Sequence, residues 1–333
     1  MAAVQEQKIF AESKLFINFA KRMQDFRRPD KLKLESNTNR YQIFRPTAGN
    51  MLGTLFISFF VMLVVVGFLQ GIAGSVVADR RTSFLIGATI QSLLLFIFPA
   101  WLMVCLCTAR PAAFLGMDRN PGIKPMVGVM LFMILVTPAL NWLVQWNSLM
   151  TLPESMSALE STLRQWEEAA ARTTDMVLSD SSVWGLVSGV LILGCLTGFA
   201  EEMFFRAGIQ KALTVSGVNV HVAVWTAAFI FSAVHFQFFG FVPRLVLGAS
   251  FGYFYYYTSS LWVSAFAHAL NNSVVVITAW LTARGYLSAE FDKIGTGVSG
   301  DAWFAVASLL LTAAFLFLLG RRLFDSNRYR SKS

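Results

Sequence analysis

Residues 183–208 read VWGLVSGVLILGCLTGFAEEMFFRAG. The run from Val183 to Ala200 carries no charge, and it is nearly long enough to cross a bilayer: the hydrocarbon core is about 30 Å thick and a helix rises about 1.5 Å per residue. Glu201, Glu202 and Arg206 interrupt the run without ending it, because apolar residues continue to Leu213. A membrane span accommodates charges less readily than any other side chain. The stretch therefore sets the fold class and also marks where the chemistry should lie.

The whole chain repeats that hydrophobic character. Of its 333 residues, 56% are hydrophobic and 14% charged, with a mean hydropathy of +0.58. These values exclude an ordinary soluble domain and predict an all-α polytopic transmembrane bundle. About eight spans are expected, near residues 52–77, 83–107, 126–149, 183–205, 219–239, 241–257, 261–282 and 302–320. The fifth and sixth are divided only by the turn from Gly240 to Pro243. No repeat or linker marks a second domain. The division is a polar basic segment over 1–50, a membrane domain over 51–324 with its functional core at 183–282, and a basic tail over 325–333. The first fifty residues contain no compact apolar h-region, so no signal peptide is expected.

A net charge of +8 would suggest nucleic acid in a soluble protein, but its distribution indicates topology instead. Residues 1–50 hold ten Lys or Arg, and 321–333 hold five. Basic flanks stay in the cytoplasm, and an even number of spans places both ends there. The loops agree: 151–181 holds six acids and two arginines, whereas Arg110, Arg119 and Lys124 share a basic loop. The bilayer is the expected partner, nucleic acid is not, and the expected location is a membrane with both termini cytoplasmic. Cys105, Cys107 and Cys195 fall inside spans and read as small packing residues.

Two segments lie outside the spans. In 151–181, Met156, Leu159, Leu163 and Trp166 recur at helical spacing. That is the pattern of an amphipathic helix, either a lid over the outer mouth or a helix packed on the bundle or headgroups. Lys14 to Arg28 mixes aromatics with bases and predicts an interfacial helix.

Within the spans the polar exceptions are few. Glu201 and Glu202 are the only acids in apolar segments, and the chain has three histidines, His221, His235 and His268. Glu202 and Arg206 are four apart and can pair on one helix face. Glu201 is rotated about 100° from Glu202, so that pairing leaves its carboxylate free. A turn near residue 216 makes the fourth and fifth helices a hairpin. Counting from that turn, Glu201 and His235 differ in depth by about 6 Å. His268 and Asn272 share one face of the seventh span. His268 lies about 12 Å nearer the start of its span than His235 does, which requires helix tilt or a displaced helix start.

A carboxylate and an imidazole can jointly hold and deprotonate water, and the acid so formed can protonate a leaving amine. An imidazole and an amide can donate to a tetrahedral oxyanion. Glu201 and His235 suit the first task, and His268 with Asn272 the second. The set fits peptide-bond hydrolysis without a covalent intermediate, in a water-filled cavity expected to open mainly to the cytoplasm. Three other readings stand beside it. Glu201, His235 and His268 would make a carboxylate and two-imidazole zinc set, although the expected metal content is none. Ser250 sits in a G-x-S-x-G match, GASFG at 248–252, but on a spanning helix, where Gly248 and Gly252 read better as a packing face. Ser232 reads as interhelical polar glue, and H-E-x-x-H is absent.

In this order, Glu201 to Arg206 as EExxxR, Phe231 to His235 as FxxxH and His268 to Asn272 as HxxxN resemble the CPBP family of intramembrane proteases, also called the type II CAAX prenyl endopeptidase or Abi family. Arg244 with Gly248 and Gly252 is similar to its glycine-bearing helix. The resemblance covers roughly 183–282. It implies a glutamate-dependent endopeptidase in which the positions of Glu201 and His235 activate water and those of His268 and Asn272 form the oxyanion hole, acting on a membrane-associated protein or peptide. In the eukaryotic branch that substrate is a prenylated C-terminal tail, and the family name also covers bacteriocin self-immunity. A non-catalytic immunity factor or scaffold, in which the same cluster only holds helices together, is therefore the alternative function.

Overall fold

The computed structural model describes residues 46–288, 293–297 and 301–320, and among them it forms helices and no strand. The predicted helix from Lys14 to Arg28 and the basic tail lie outside the described residues. Eight helices pack as a bundle: α1 (Ala48–Val76), α2 (Arg80–Cys107), α3 (Ile123–Ser148), α5 (Val183–Val215), α6 (Val220–Ala233), α7 (Phe241–Thr258), α8 (Leu261–Ala283) and α9 (Trp303–Leu318). The ninth, α4 (Ser157–Leu178), is the amphipathic helix expected in the acidic loop. Five of the predicted spans, α1, α2, α3, α5 and α8, are long and apolar enough to cross a membrane.

The other three fall short. The fifth span, expected over 219–239, is helical only for the 14 residues of α6, about 21 Å against a core of about 30 Å. Its partner α7 has 18 residues. The α6–α7 hairpin therefore turns back level with the middle of α5, which runs 33 residues.

Local chemistry sets the helix ends and bends. Thr47 and Asp79 cap α1 and α2 by accepting from Asn50 N and Thr82 N, each satisfying a donor with no partner inside its helix. Pro99 follows a π-helical stretch at Gln91–Ile97, whose wider turn accommodates the ring and the missing N–H. Pro138 lies inside α3, and Ser308 of α9 repairs the ladder there by accepting from Ala139 N and donating to Leu135 O.

α5 and α8 run antiparallel in close contact. A Cβ on Gly189, Gly194 or Gly198 would lie 2.8 Å from Val276 Cγ1, 2.3 Å from Ser273 Oγ or 2.9 Å from Ala269 N. Small residues let two backbones approach, and here the approach sets Glu202 directly against His268.

The two ends of the bundle differ. At one end Arg81 joins α2 to the close of α4 and the start of α5, through Val177 O, Gly185 O and Asp180. At the other, residues 111–122 tuck beneath the junction of α7 and α8. Tyr255 OH donates to Leu115 O, Ser260 Oγ to Arg119 O and Leu261 N to Gly116 O. Gly116 is left-handed at φ 76°, and a Cβ there would meet Ser259 O at 2.6 Å. This segment fills the space that the early start of α8 leaves. It resolves the expected mismatch of depth: α8 begins about 10 Å from His268, while α5 continues about 20 Å past Glu202.

Candidate functional site

The centre of the bundle is built on the EExxxR stretch. Glu201 and Glu202 end a regular helical segment, and Met203–Gln210 follows as a π-helical stretch whose residues are all buried. Glu202 and Arg206 are both 0% exposed, and Arg206 Nε lies 3.1 Å from Glu202 Oε2. This is the pair the spacing predicts. The guanidinium also packs 4.9 Å from the centroid of the Phe231 ring, an arrangement in which the ring face attracts the cation.

The second oxygen of Glu202 has a partner that the sequence reading did not anticipate. His268 Nδ1 lies 3.0 Å from Glu202 Oε1. A carboxylate accepts, so Nδ1 carries the proton in this arrangement. The other nitrogen, Nε2, then faces Glu201 Oε2 at 3.7 Å, beyond hydrogen-bond length. Phe251 stacks on the imidazole with centroids 5.1 Å apart, and Phe231 meets its edge at 5.6 Å. His268 is thus fixed between two carboxylates and two rings, and it belongs with the glutamates more closely than His235 does.

His235 lies just past the end of α6. Its Nδ1 is 2.7 Å from Phe231 O, a carbonyl that can only accept, so Nδ1–H donates and Nε2 is left as the acceptor. The same Phe231 ring touches both imidazoles, His235 at 5.0 Å and His268 at 5.6 Å between centroids. The phenylalanine of FxxxH is a spacer between them, and no direct contact joins His235 to Glu201 among the described residues. Asn272 donates from Nδ2 to Leu193 O at 3.1 Å and accepts from Asn271, which leaves one amide hydrogen unassigned. Glu201, Glu202, Arg206 and His268 therefore meet in one cluster, with His235 and Asn272 at its edges.

The zinc set fits this arrangement poorly. With Phe231 between the two imidazoles, no group of three His, Cys, Asp or Glu among the described residues is close enough to hold a metal. Ser250 donates to Val246 O within α7, one turn back. A Cβ on Gly248 would lie 3.0 Å from Phe231, and one on Gly252 2.7 Å from Gln210 Oε1, so both glycines are packing positions. Ser232 Oγ donates to Phe241 O, the expected glue. Cys107 is buried and Cys105 partly so, but Cys195 is exposed rather than packed inside.

The edges of the cluster differ in exposure. Glu201 is 7% exposed and His268 4%, and toward the end where α1 begins they are underlain by the buried Met203–Gln210 stretch. The accessible rim is at the α6–α7 tip, where His235 is partly exposed and Phe236 is 68% exposed. Above that rim lies α4: Arg164 packs 4.1 Å from the Phe239 centroid and Trp166 meets Phe236 edge-on at 6.3 Å. The more exposed side of the cluster is thus the α6–α7 tip, beneath α4.

With this geometry established, residues 183–274 match the family described as type II CAAX prenyl endopeptidase Rce1-like. The chain carries an Rce1-like segment. It comprises α5 to α7 and most of α8, and it contains all three motifs. The uncharacterized protein YpbD of Bacillus subtilis (strain 168) is 32% identical over 89 residues, which are 26% of this chain and 42% of YpbD. The chain thus spans less than half the length of the curated relative it matches. No solved structure matches. What the Rce1-like sequence pattern did not disclose was the Gly189–Gly194–Gly198 stripe and the second bond of Glu202. The uneven glycine spacing in α5 was the available signal for the stripe.

Proposed function

We propose that the protein is an intramembrane endopeptidase that hydrolyses a peptide bond of a membrane-associated protein or peptide. One observation carries the reading: among the described residues Glu201 is a buried carboxylate without a hydrogen bond, with His268 Nε2 facing it at 3.7 Å, because Glu202 takes both Arg206 and the Nδ1 of His268. A carboxylate kept free in this way is available as a base.

In the proposed reaction Glu201 removes a proton from a water molecule as the water oxygen attacks the scissile carbonyl carbon. His235 Nε2, unprotonated and turned away from Phe231 O, assists from the rim. The oxyanion so formed accepts from the free amide hydrogen of Asn272 and from His268 Nε2 when that nitrogen carries a proton. Glu201 then returns its proton to the leaving nitrogen, the C–N bond breaks, and a carboxyl and an amine depart. No metal enters these steps, so cleavage is expected to survive chelators.

The α4 end carries the acidic loop and the opposite end the basic one, so the substrate is expected to reach the site from the non-cytoplasmic side. The test is cleavage of a bilayer-reconstituted peptide library. Glu201→Gln, folded by size exclusion and thermal melt, should lose cleavage by about 100-fold or more, the scale of one general base. Equal cleavage by the variant would remove Glu201 from the chemistry, whereas absence of cleavage by the unmodified protein would favour the non-catalytic scaffold, which the many internal contacts of His268 and Asn272 would also serve.

A further inference from the structure

A second charged group stands at the rim and takes no part in these steps. Arg244, in the first turn of α7, donates from Nη2 to Gln237 Oε1 at 2.6 Å. Gln237 lies two residues beyond His235, so the guanidinium is tied to the hairpin tip that carries the histidine. Its Nη1 is buried without a hydrogen-bond acceptor in the protein. The guanidinium lies against the backbone of Gly240, where a Cβ would be 3.3 Å from Nη2 and 3.8 Å from Nη1. A side chain at this position would press on the cation.

Arg164 and Trp166 of α4 pack on Phe239 and Phe236 of the same tip, which brings Glu167 of that helix over the Arg244 region. Glu167 and Glu201 are the acids whose charges act on Arg244, yet among the described residues neither forms an ion pair with it. Glu167 Oε2 is itself buried without a partner. A rigid guanidinium with both N–H groups of Nη1 free and Nη2 held by Gln237 is arranged to take a planar anionic acceptor. The local charge argues for exchange over addition. Glu202 is neutralised by Arg206, so Glu201 and Glu167 already outweigh Arg244, and a further anion is favoured only where Glu167 withdraws. The helix bearing Glu167 is lightly seated, with Met156, Leu159 and Trp166 about half exposed.

We propose that Arg244 is a carboxylate-binding subsite that anchors the substrate beside Glu201, with Glu167 as the internal acid that the substrate carboxylate displaces. The proposal rests on the endopeptidase reading for its purpose, but binding tests it without catalysis. The probes are N-dodecanoyl-glycyl-alanine, its carboxamide, and N-dodecanoyl-aspartyl-alaninamide, titrated by thermophoresis into the full chain carrying Glu201→Gln in a non-ionic detergent.

The terminal acid or the side-chain acid should bind about tenfold tighter than the carboxamide, the scale of one charge-assisted bond. Which acid shows the preference identifies the carboxylate as terminal or lateral. Arg244→Gln should erase the difference, and Arg244→Lys should restore part of it. Glu167→Gln should tighten acid binding several-fold, a gain that a purely structural role would not give, and it decides the matter alone if Arg244→Gln does not fold. Equal affinity for acids and carboxamide, a preference that survives Arg244→Gln, or acid binding unmoved by Glu167→Gln overturns the subsite. Failure of the endopeptidase reading is seen separately, as absence of cleavage by the unmodified protein.

Discussion

Glu202 holds His268: Oε1 of the one lies 3.0 Å from Nδ1 of the other, while Oε2 stays 3.1 Å from Arg206 Nε. One buried carboxylate thereby ties α8 to α5 and neutralises a cation. Removing a single partner of a buried pair costs about 3–5 kcal/mol, because the remaining charge has nowhere to go. Glu202→Ala should therefore lower the thermal midpoint in detergent by about 6 °C or more, and Glu201→Gln should change it little while abolishing cleavage. Adjacent glutamates would thus separate into a stability position and a chemical one. A Glu202→Ala protein as stable as the parent would contradict the assignment.

The spacing in EExxxR made that first pairing legible, since residues four apart on a helix share a face. The helix count and the amphipathic α4 were legible for the same reason, that hydrophobic period and span length follow from helix geometry. The partner of His268 was not. Which side chain a histidine meets depends on the register between α5 and α8, and that register is set by Gly194 against Ser273 and Gly198 against Ala269, contacts 79 and 71 residues apart in sequence. The short length of α6 was not legible either, because hydropathy gives a run of apolar residues but not where the helix stops. α6 ends at Ala233 although Val234, Phe236, Phe238 and Phe239 continue the apolar pattern.

The close approach of α5 to α8 makes its own prediction. Gly198→Ala would place a methyl 2.9 Å from Ala269 N and 3.2 Å from its Cα. These are backbone atoms next to His268, which move only if the helices part. Overpacking of this kind costs about 1–3 kcal/mol, and the displacement should weaken the Glu202–His268 contact. The expected result is a lower thermal midpoint together with reduced cleavage. Gly71→Ala on α1, where no atom lies within 4 Å, serves as the control and should leave both unchanged.

The charge asymmetry of the loops predicts which way the site faces. In a background with Cys105, Cys107 and Cys195 replaced by Ser, Arg172→Cys on α4 should react with a membrane-impermeant maleimide added to intact spheroplasts. Arg110→Cys, in the basic loop, should react only after lysis. Both positions are exposed, so burial does not mask the answer. The reverse labelling would place the α4 end, and with it the open rim at His235, in the cytoplasm.

The seating of α4 depends on a carboxylate that can be titrated from outside. Glu160 Oε2 accepts from Leu152 N at 2.8 Å, and its Oε1 lies 2.7 Å from Arg164 Nη2, the same arginine that packs on Phe239 at the rim. The Leu152 N–H first, and Arg164 with it, hold the Glu160 carboxyl below its ordinary value. A depressed carboxyl contributes its full anchoring above the unfolded value of about 4.3 and loses it as pH falls through the lower folded value. The difference in emission between the parent protein and Trp166→Phe, which reports the Trp166–Phe236 contact, should therefore stay constant from neutral pH down to about 5 and change only below about 4. Glu160→Ala should show the low-pH signal already at neutral pH. A change that begins near pH 6 in the parent would contradict the assignment of the seating of α4 to Glu160.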